Sequence, residues 1–206
     1  MPQSRIDDHS FRRILFRNIT LPLAAGVVSA AVFIAVFAYL LNALTAVEHS
    51  ERVIGNAQEL RKLAVDMETG MRGYLLTGEE SFLAPYKLAK PKIETALNTL
   101  TELVADNPTQ IDRLRNIRAQ QAQWDRAAQE MIELRKTGGD YLSTVRAQRG
   151  KIEFDELRSL FIAFINTEER LRMDRNREAR SVTYLTVVGF LTVSLVLSGF
   201  LAWFGR

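Results

Sequence analysis

The 206-residue chain has no cysteine, only two histidines and five prolines, and two stretches with no charge at all. Without cysteine, disulfides, thiolate nucleophiles and sulfur-ligated zinc are excluded. Neither His9 nor His49 has a second histidine at metal-ligand spacing, so no metal site is expected from them. No serine–histidine pair is present to build a nucleophile. The glycines of the stretch "ETGMRGYLLTGEESF", Gly70, Gly73 and Gly78, fit neither a dinucleotide fingerprint after a strand nor a P-loop ending in G-K-[ST]. "TGGDYL" (Thr137 to Leu142) echoes the letters of a cyclase signature for three residues and reads as a turn. No catalytic residue, cofactor cradle or metal ligand can be named, and an enzyme is the least favoured class.

The uncharged stretches are "LPLAAGVVSAAVFIAVFAYLLNAL" (Leu21 to Leu44) and "VTYLTVVGFLTVSLVLSGFLAWF" (Val182 to Phe204). Each exceeds the ~20 residues a helix needs to cross hydrocarbon. Arginines 5, 12, 13 and 17 precede the first, as in a secretory signal. A signal core runs only about 7 to 15 apolar residues, however, so an uncleaved anchor is expected.

Five of the 27 basic residues (those four arginines and Arg206) and two of the 24 acidic ones (Asp7 and Asp8) lie outside residues 48–181, leaving 22 of each sign between the apolar stretches. A neutral middle has no basic stripe, and no nucleic-acid partner is expected despite a basic pI. The basic tail places the N-terminus in the cytoplasm, and two spans return the C-terminus to the same side. One feature opposes this: "RLRMDRNREAR" (Arg170 to Arg180) puts five arginines on the outer side. Glu169, Asp174 and Glu178 offset them at helical spacing, so a solvated helix face is preferred to a clamp on lipid headgroups.

No strand-like alternation or internal repeat is present, and the middle segment reads as helices. Val53, Ala57, Leu60, Ala64, Met67, Met71 and Leu75 form a three-and-four stripe that continues out of the first span, and Thr77–Gly78 should end it. About 30 residues at 1.5 Å each make a rod of roughly 45 Å. A second helix opens on Glu79 and Glu80, carries Phe82, Tyr86, Ala89, Ile93, Ala96, Leu100 and Leu103 on one face, and should bend at Pro91. Asn107–Pro108 starts a third, striped by Ile111, Leu114, Ile117, Gln121, Trp124, Ala128 and Met131. "KTGGD" breaks it, and a short helix from Tyr141 to Gln148 is expected to end at Gly150. The last helix, with Leu157, Leu160, Phe161, Phe164, Glu168 and Leu171, meets no breaker before the second span. The expected fold is all-α: two transmembrane helices extended into an extracytoplasmic up-down-up-down four-helix bundle.

Gly70 and Gly73 each cost a helix interior about 1 kcal/mol relative to alanine, which calls for close approach by a backbone or a ligand. Glu68 and Arg72 stand at i,i+4 spacing and suit an ion pair, joined by Glu168 of the last helix. Trp124, Tyr86 and Arg118 are in position to line a pocket, although aromatics at helical spacing are core far more often.

Glu68, Thr69, Arg72, Gly73, Tyr74, Leu75, Leu76, Thr77 and Gly78, followed by Phe82, Leu83, Pro85 and Tyr86, resemble the opening signature of the third type of CHASE domain, a cyclase/histidine-kinase-associated sensory extracellular domain. Gly150, Lys151, Asp155 and Arg158 resemble the family's later Gly-Lys…Asp…Arg segment, and Glu168 with Leu171 its closing Glu-x-x-Leu. Met71 stands where the family usually has glutamine, and Phe154 where methionine is common. The resemblance spans roughly Val47 to Arg180 and implies a periplasmic helical sensor whose output domain lies in the cytoplasm.

The expected organisation is a cytoplasmic tail (1–18), a first span (19–46), a sensory bundle (47–181), a second span (182–204) and a cytoplasmic end (205–206). Beyond membrane lipid, the expected partners are a second copy, as a parallel homodimer, and a cytoplasmic output domain, in the same longer chain or in a partner protein. Small residues at Gly26 and Ala30, Ala31 and Ala35, and Ser194 and Ser198 are spaced to let helices meet in lipid. The rival reading is a membrane-anchored spacer or assembly protein that binds no signal. The ligand itself is not legible in the sequence.

Overall fold

The computed structural model describes residues 19–204; expectations about the tail and the last two residues lie outside them. The elements are α1 (Leu21–Thr77), a 3-10 turn (Glu80–Leu83), α2 (Ala84–Leu103), α3 (Pro108–Thr137), α4 (Tyr141–Arg146) and α5 (Arg149–Phe204), with no strand among the described residues. Two compact units result: Val47–Asp174, and the flanking segments together.

In the unit Val47–Asp174, long-range contacts fix the direction of three neighbouring helix pairs. Along α2 and α3, Lys90 meets Asp125 and Glu94 meets Arg118, so one sequence rises as the other falls. Along α1 and α5, Glu51 meets Arg172 and Glu68 meets Arg158. Gln110 meets Glu168 and Gln123 meets Glu153 between α3 and α5. These antiparallel pairings are the up-down-up-down four-helix bundle. Its core holds the whole α1 stripe from Val53 to Leu75, with Trp124, Leu157, Phe161 and Phe164 fully enclosed. Burying each such side chain contributes roughly 1.5–3 kcal/mol, and these stripes hold the helices together.

The helix ends follow local chemistry. Asn107 caps α3 by accepting from Gln110 N at 3.3 Å, with Pro108 in the first turn where its missing N–H costs nothing. Gly138, at φ 74°, ends α3, and Asp140 accepts from Ser143 N to start α4, so "TGGDYL" is indeed a turn. At the other reversal Gly78 N donates to Tyr74 O at 2.8 Å, Thr77 Oγ1 donates to Gly73 O, and Glu79 N donates back to Thr77 Oγ1. Gly78 has φ 78°, a left-handed conformation that costs a residue with Cβ about 1–2 kcal/mol. Gly78→Ala is therefore expected to lower bundle stability by that amount, read from the thermal melt of the detergent-solubilised chain.

Three expectations are corrected. The second helix begins as a 3-10 turn and Phe82 is 44% exposed, while Leu83 takes the core position, because Phe82 lies across Gly73 outside the stripe. Leu97, rather than Ala96, is the enclosed residue further along α2. Gly150 does not end the short helix: α4 stops at Arg146, Gln148 carries the positive φ of 56° and Gly150 lies inside α5. A Cβ on Gly150 would sit 2.9 Å from Met131 Cε, so this glycine admits a side chain of α3.

In the flanking unit the apolar parts of α1 and α5 expose most of their described valine, leucine and phenylalanine side chains, and both helices are long and apolar enough to cross a membrane. Hydroxyls there need partners within the helix, since lipid supplies none. Thr183, Thr186 and Thr192 each donate to the carbonyl four residues earlier. Tyr184 and Trp203 are exposed near opposite ends of the second apolar run, where amphipathic rings suit the two interfaces.

Candidate functional site

The signature residues fall into three groups. The first is a helix contact. Gly70 faces the start of α2 so closely that a Cβ would lie 2.9 Å from Tyr86 N and 3.0 Å from Phe82 O, and Gly73 lies under the Phe82 ring. The close approach expected from these glycines is thus made by backbone at Gly70 and by the Phe82 side chain at Gly73. Tyr74 and Leu75 are buried beside it, and Thr69 is exposed.

The second is a charge cluster joining α1 to α5. Glu68, whose side chain is 11% exposed, accepts from Arg72 at 3.1 Å and lies 3.7 Å from Arg158. Arg158 also reaches Asp155 at 2.9 Å, and Lys151 holds Asp155 at 2.7 Å. The hydrogen bond from Lys151 is the main cause that keeps the Asp155 carboxyl below the usual range; the charges of Lys151, Arg158 and Arg72 act the same way. Its stabilising contribution is present above the ordinary carboxylate pKa and fades as pH falls through the lowered value. Glu168 does not join this cluster. It is buried lower on α5, where Gln110 Nε2 donates to it at 2.6 Å, and Arg158 takes the place expected of it. Register explains the exchange: Arg158 sits opposite Glu68 in the antiparallel α1–α5 pair, and Glu168 lies three turns further along.

The Arg72 and Arg158 side chains are about half exposed, so each pair alone resembles a surface bridge worth ~1 kcal/mol or less. Removing both cations leaves a buried carboxylate uncompensated. Arg72→Met and Arg158→Met are each expected to cost under about 1 kcal/mol, and the double variant about 3 kcal/mol. A thermal-melt cycle over the four proteins checks this; additive losses would mean that Glu68 does not depend on either cation.

The cluster borders a cleft of about 190 Å³ whose other walls include Met71, Met131, Val145 and Gln148. Met71, at the family's usual glutamine position, is buried, so the wall there is apolar. Phe154, at the family's methionine position, tilts against Trp124 with centroids 5.2 Å apart and carries the Arg158 guanidinium over its face.

The third group centres on Asp125, which no motif or apolar stripe singles out. It accepts from the Tyr86 hydroxyl, from Lys90 at 2.9 Å and from Gln129 at 2.6 Å. Burial, then Asp125, pushes the Tyr86 hydroxyl well above its ordinary value. Folding thus favours the protonated phenol: that contribution is present below pH ~10 and is lost progressively above it. Tyr86→Phe is expected to flatten the alkaline limb of a stability–pH curve. Beside Asp125 lies a cleft of about 180 Å³ between α2 and α3, with Arg118 in its wall. Trp124 is core, fully enclosed. Exposed polar spacing carried no signal for Asp125, because its importance comes from two partners on another helix.

No group of histidine and acidic side chains that could hold a metal is present among the described residues. Residues 43–178 match the family model described as CHASE3 domain. A solved structure, the sensor domain of the Rhodopseudomonas palustris histidine kinase HK9, aligns with TM-score 0.52 at 22% identity, covering 60% of this chain and 98% of that one. A search of curated proteins finds no match.

Proposed function

The chain belongs to the CHASE3 domain family, and from that premise we propose that residues 47–181 are the extracytoplasmic sensory input module of a bacterial two-pass receptor of histidine kinase, cyclase or chemoreceptor type. Both termini lie in the cytoplasm, and the receptor sits in the inner membrane as a parallel homodimer. The output domain follows in the same longer chain or belongs to a partner protein.

One observation carries this reading. α1 and α5 are each a single helix that supplies bundle core along one part and an uncharged apolar run along another, and the Glu68–Arg158 cluster ties these same two helices together. A displacement of α5 against α1 by 1–2 Å is therefore passed along unbroken helix to the cytoplasmic side, provided that two packings are close in energy.

The test is an insertion series. Residues 1–204 are fused to a cytoplasmic kinase of measurable output, and one to seven alanines are added after Arg177 in α5. Each residue turns the helix by about 100° and advances it by 1.5 Å, and seven return nearly to the starting face. Output should oscillate with insertion length and recover at seven; a flat series would remove helix displacement as the mechanism.

A further inference from the structure

The clefts of the bundle differ in the charge of their walls. Between α2 and α3 the lining residues Lys90, Glu94, Arg118 and Asp125 cancel in pairs. On the outer face of α1 and α5, Arg61 and Arg158 flank an apolar floor, with walls from those two helices alone. The cleft of about 190 Å³ beside the Glu68 cluster is walled by α1, α3, α4 and the start of α5, and it combines surplus positive charge with neutral hydrogen-bonding groups.

The charged residues lining it are Glu68, Arg72 and Lys151. Both oxygens of Glu68 are already held, Oε1 by Arg72 at 3.1 Å and Oε2 by Arg158 at 3.7 Å. Lys151 and Arg158 share Asp155. Three cations thus face two carboxylates across the cluster, and one positive charge is left over. An entering anion brings the sum to zero, whereas an entering cation adds repulsion. Arg72 and Lys151 also have donors to spare: Arg72 turns Nη1 to Glu68 and Lys151 turns its ammonium to Asp155, and each group carries further N–H bonds. Their side chains are 60% and 59% exposed, so an incoming anion reaches them without unfolding the core.

Thr144 and Gln148 add a hydroxyl and an amide that can donate to the same anion, while Met71, Leu75, Met131 and Val145 give the cleft an apolar side. Gln148 holds φ 56°, in the left-handed region that residues with a Cβ seldom adopt, and it does so in this wall. Backbone strain of that kind gathers at ligand clamps. Bare phosphate or sulfate would leave the apolar side uncovered. A cavity of ~150 Å³ holds a benzene ring, so about 190 Å³ takes a ring of that size bearing one carboxylate.

We propose that this cleft is the ligand site of the module, and that it takes a small monocarboxylate whose charge is received by Arg72 and Lys151 and whose apolar body lies on the methionines, Leu75 and Val145. The proposal deepens the sensory reading and rests on it. Arg72 belongs to α1 and Lys151 to α5, so the bound carboxylate bears on the two helices whose displacement that reading requires.

Calorimetry on the full chain in a non-ionic detergent tests it with four probes. Cyclohexanecarboxylate, cyclohexanecarboxamide and cyclohexylmethylamine share one apolar ring, and inorganic phosphate has none. The carboxylate should bind with a Kd of about 1 mM or tighter, and the other three at least tenfold more weakly. Lys151→Met and Arg72→Met should each weaken the carboxylate at least tenfold. Both side chains are more than half exposed, so melting midpoints within about 4 °C of the parent protein are expected for these variants. Arg61→Met, which removes a cation from the outer α1–α5 cleft instead, should leave the affinity unchanged. The site is overturned if cyclohexanecarboxylate does not bind, if any of the other three probes binds as tightly, if Lys151→Met leaves the affinity intact, or if Arg61→Met is the variant that loses it. Binding without oscillation in the insertion series would sink the displacement mechanism and leave this site standing; oscillation without binding would sink the site alone.

Discussion

Gly70→Val is expected to lower the stability of the bundle by about 3 kcal/mol or more, the upper range for forcing extra atoms into a packed interface. A Cβ at this position meets Tyr86 N and Phe82 O, both backbone atoms, at 2.9 and 3.0 Å. Neither can rotate away, so α1 and the start of α2 must separate, and the buried contacts of Leu83 and Tyr86 open with them. Gly55, on the same helix, supplies the contrast: nothing lies within 4 Å of a Cβ built there. Gly55→Ala should stabilise by up to about 1 kcal/mol through helix propensity alone. Thermal melts of the two variants moving in opposite directions would show that close approach, rather than helix propensity, keeps Gly70 small.

Trp124→Ala carries the second large effect, about 3–5 kcal/mol. The indole is fully enclosed between α3 and α5 and packs on Phe154 with centroids 5.2 Å apart, so truncation leaves a cavity that the surrounding helices fill only in part. Trp124→Phe should behave quite differently. The indole N–H has no acceptor, and a phenyl ring fills most of the space while removing that unpaired donor. A loss of about 1–3 kcal/mol is expected for it, smaller than for alanine because the phenyl ring keeps most of the packing and the unpaired donor is gone. If phenylalanine were as damaging as alanine, the N–H would have to be engaged after all.

These cases also mark how far the sequence could be read. Periodicity within one helix located the α1 stripe from Val53 to Leu75, the Asn107–Pro108 start and the Gly78 reversal, because each depends on residues a few positions apart. The need for close approach at Gly70 was legible for the same reason, as glycine is costly in a helix interior. What periodicity cannot show is how far each helix is rotated about its axis and which turn faces which. Hence the stripe predicts Phe82 in the core where Leu83 stands, and Glu168 beside Glu68 where Arg158 stands. Asp125 is invisible, since it acquires its character from another helix. Gly150 reads as a breaker because glycine ends many helices; the Met131 methyl group against it leaves no trace in the sequence.

The absence of cysteine opens the most direct test of the central claim, that the bundle stands outside the cytoplasm between two spans. Lys136 is exposed in the last turn of α3, so Lys136→Cys places one thiol on the bundle in an otherwise thiol-free chain. Labelling of sealed spheroplasts with a membrane-impermeant maleimide should modify this residue fully, with no further reaction on lysis. Modification only after lysis would put the bundle in the cytoplasm and contradict the account.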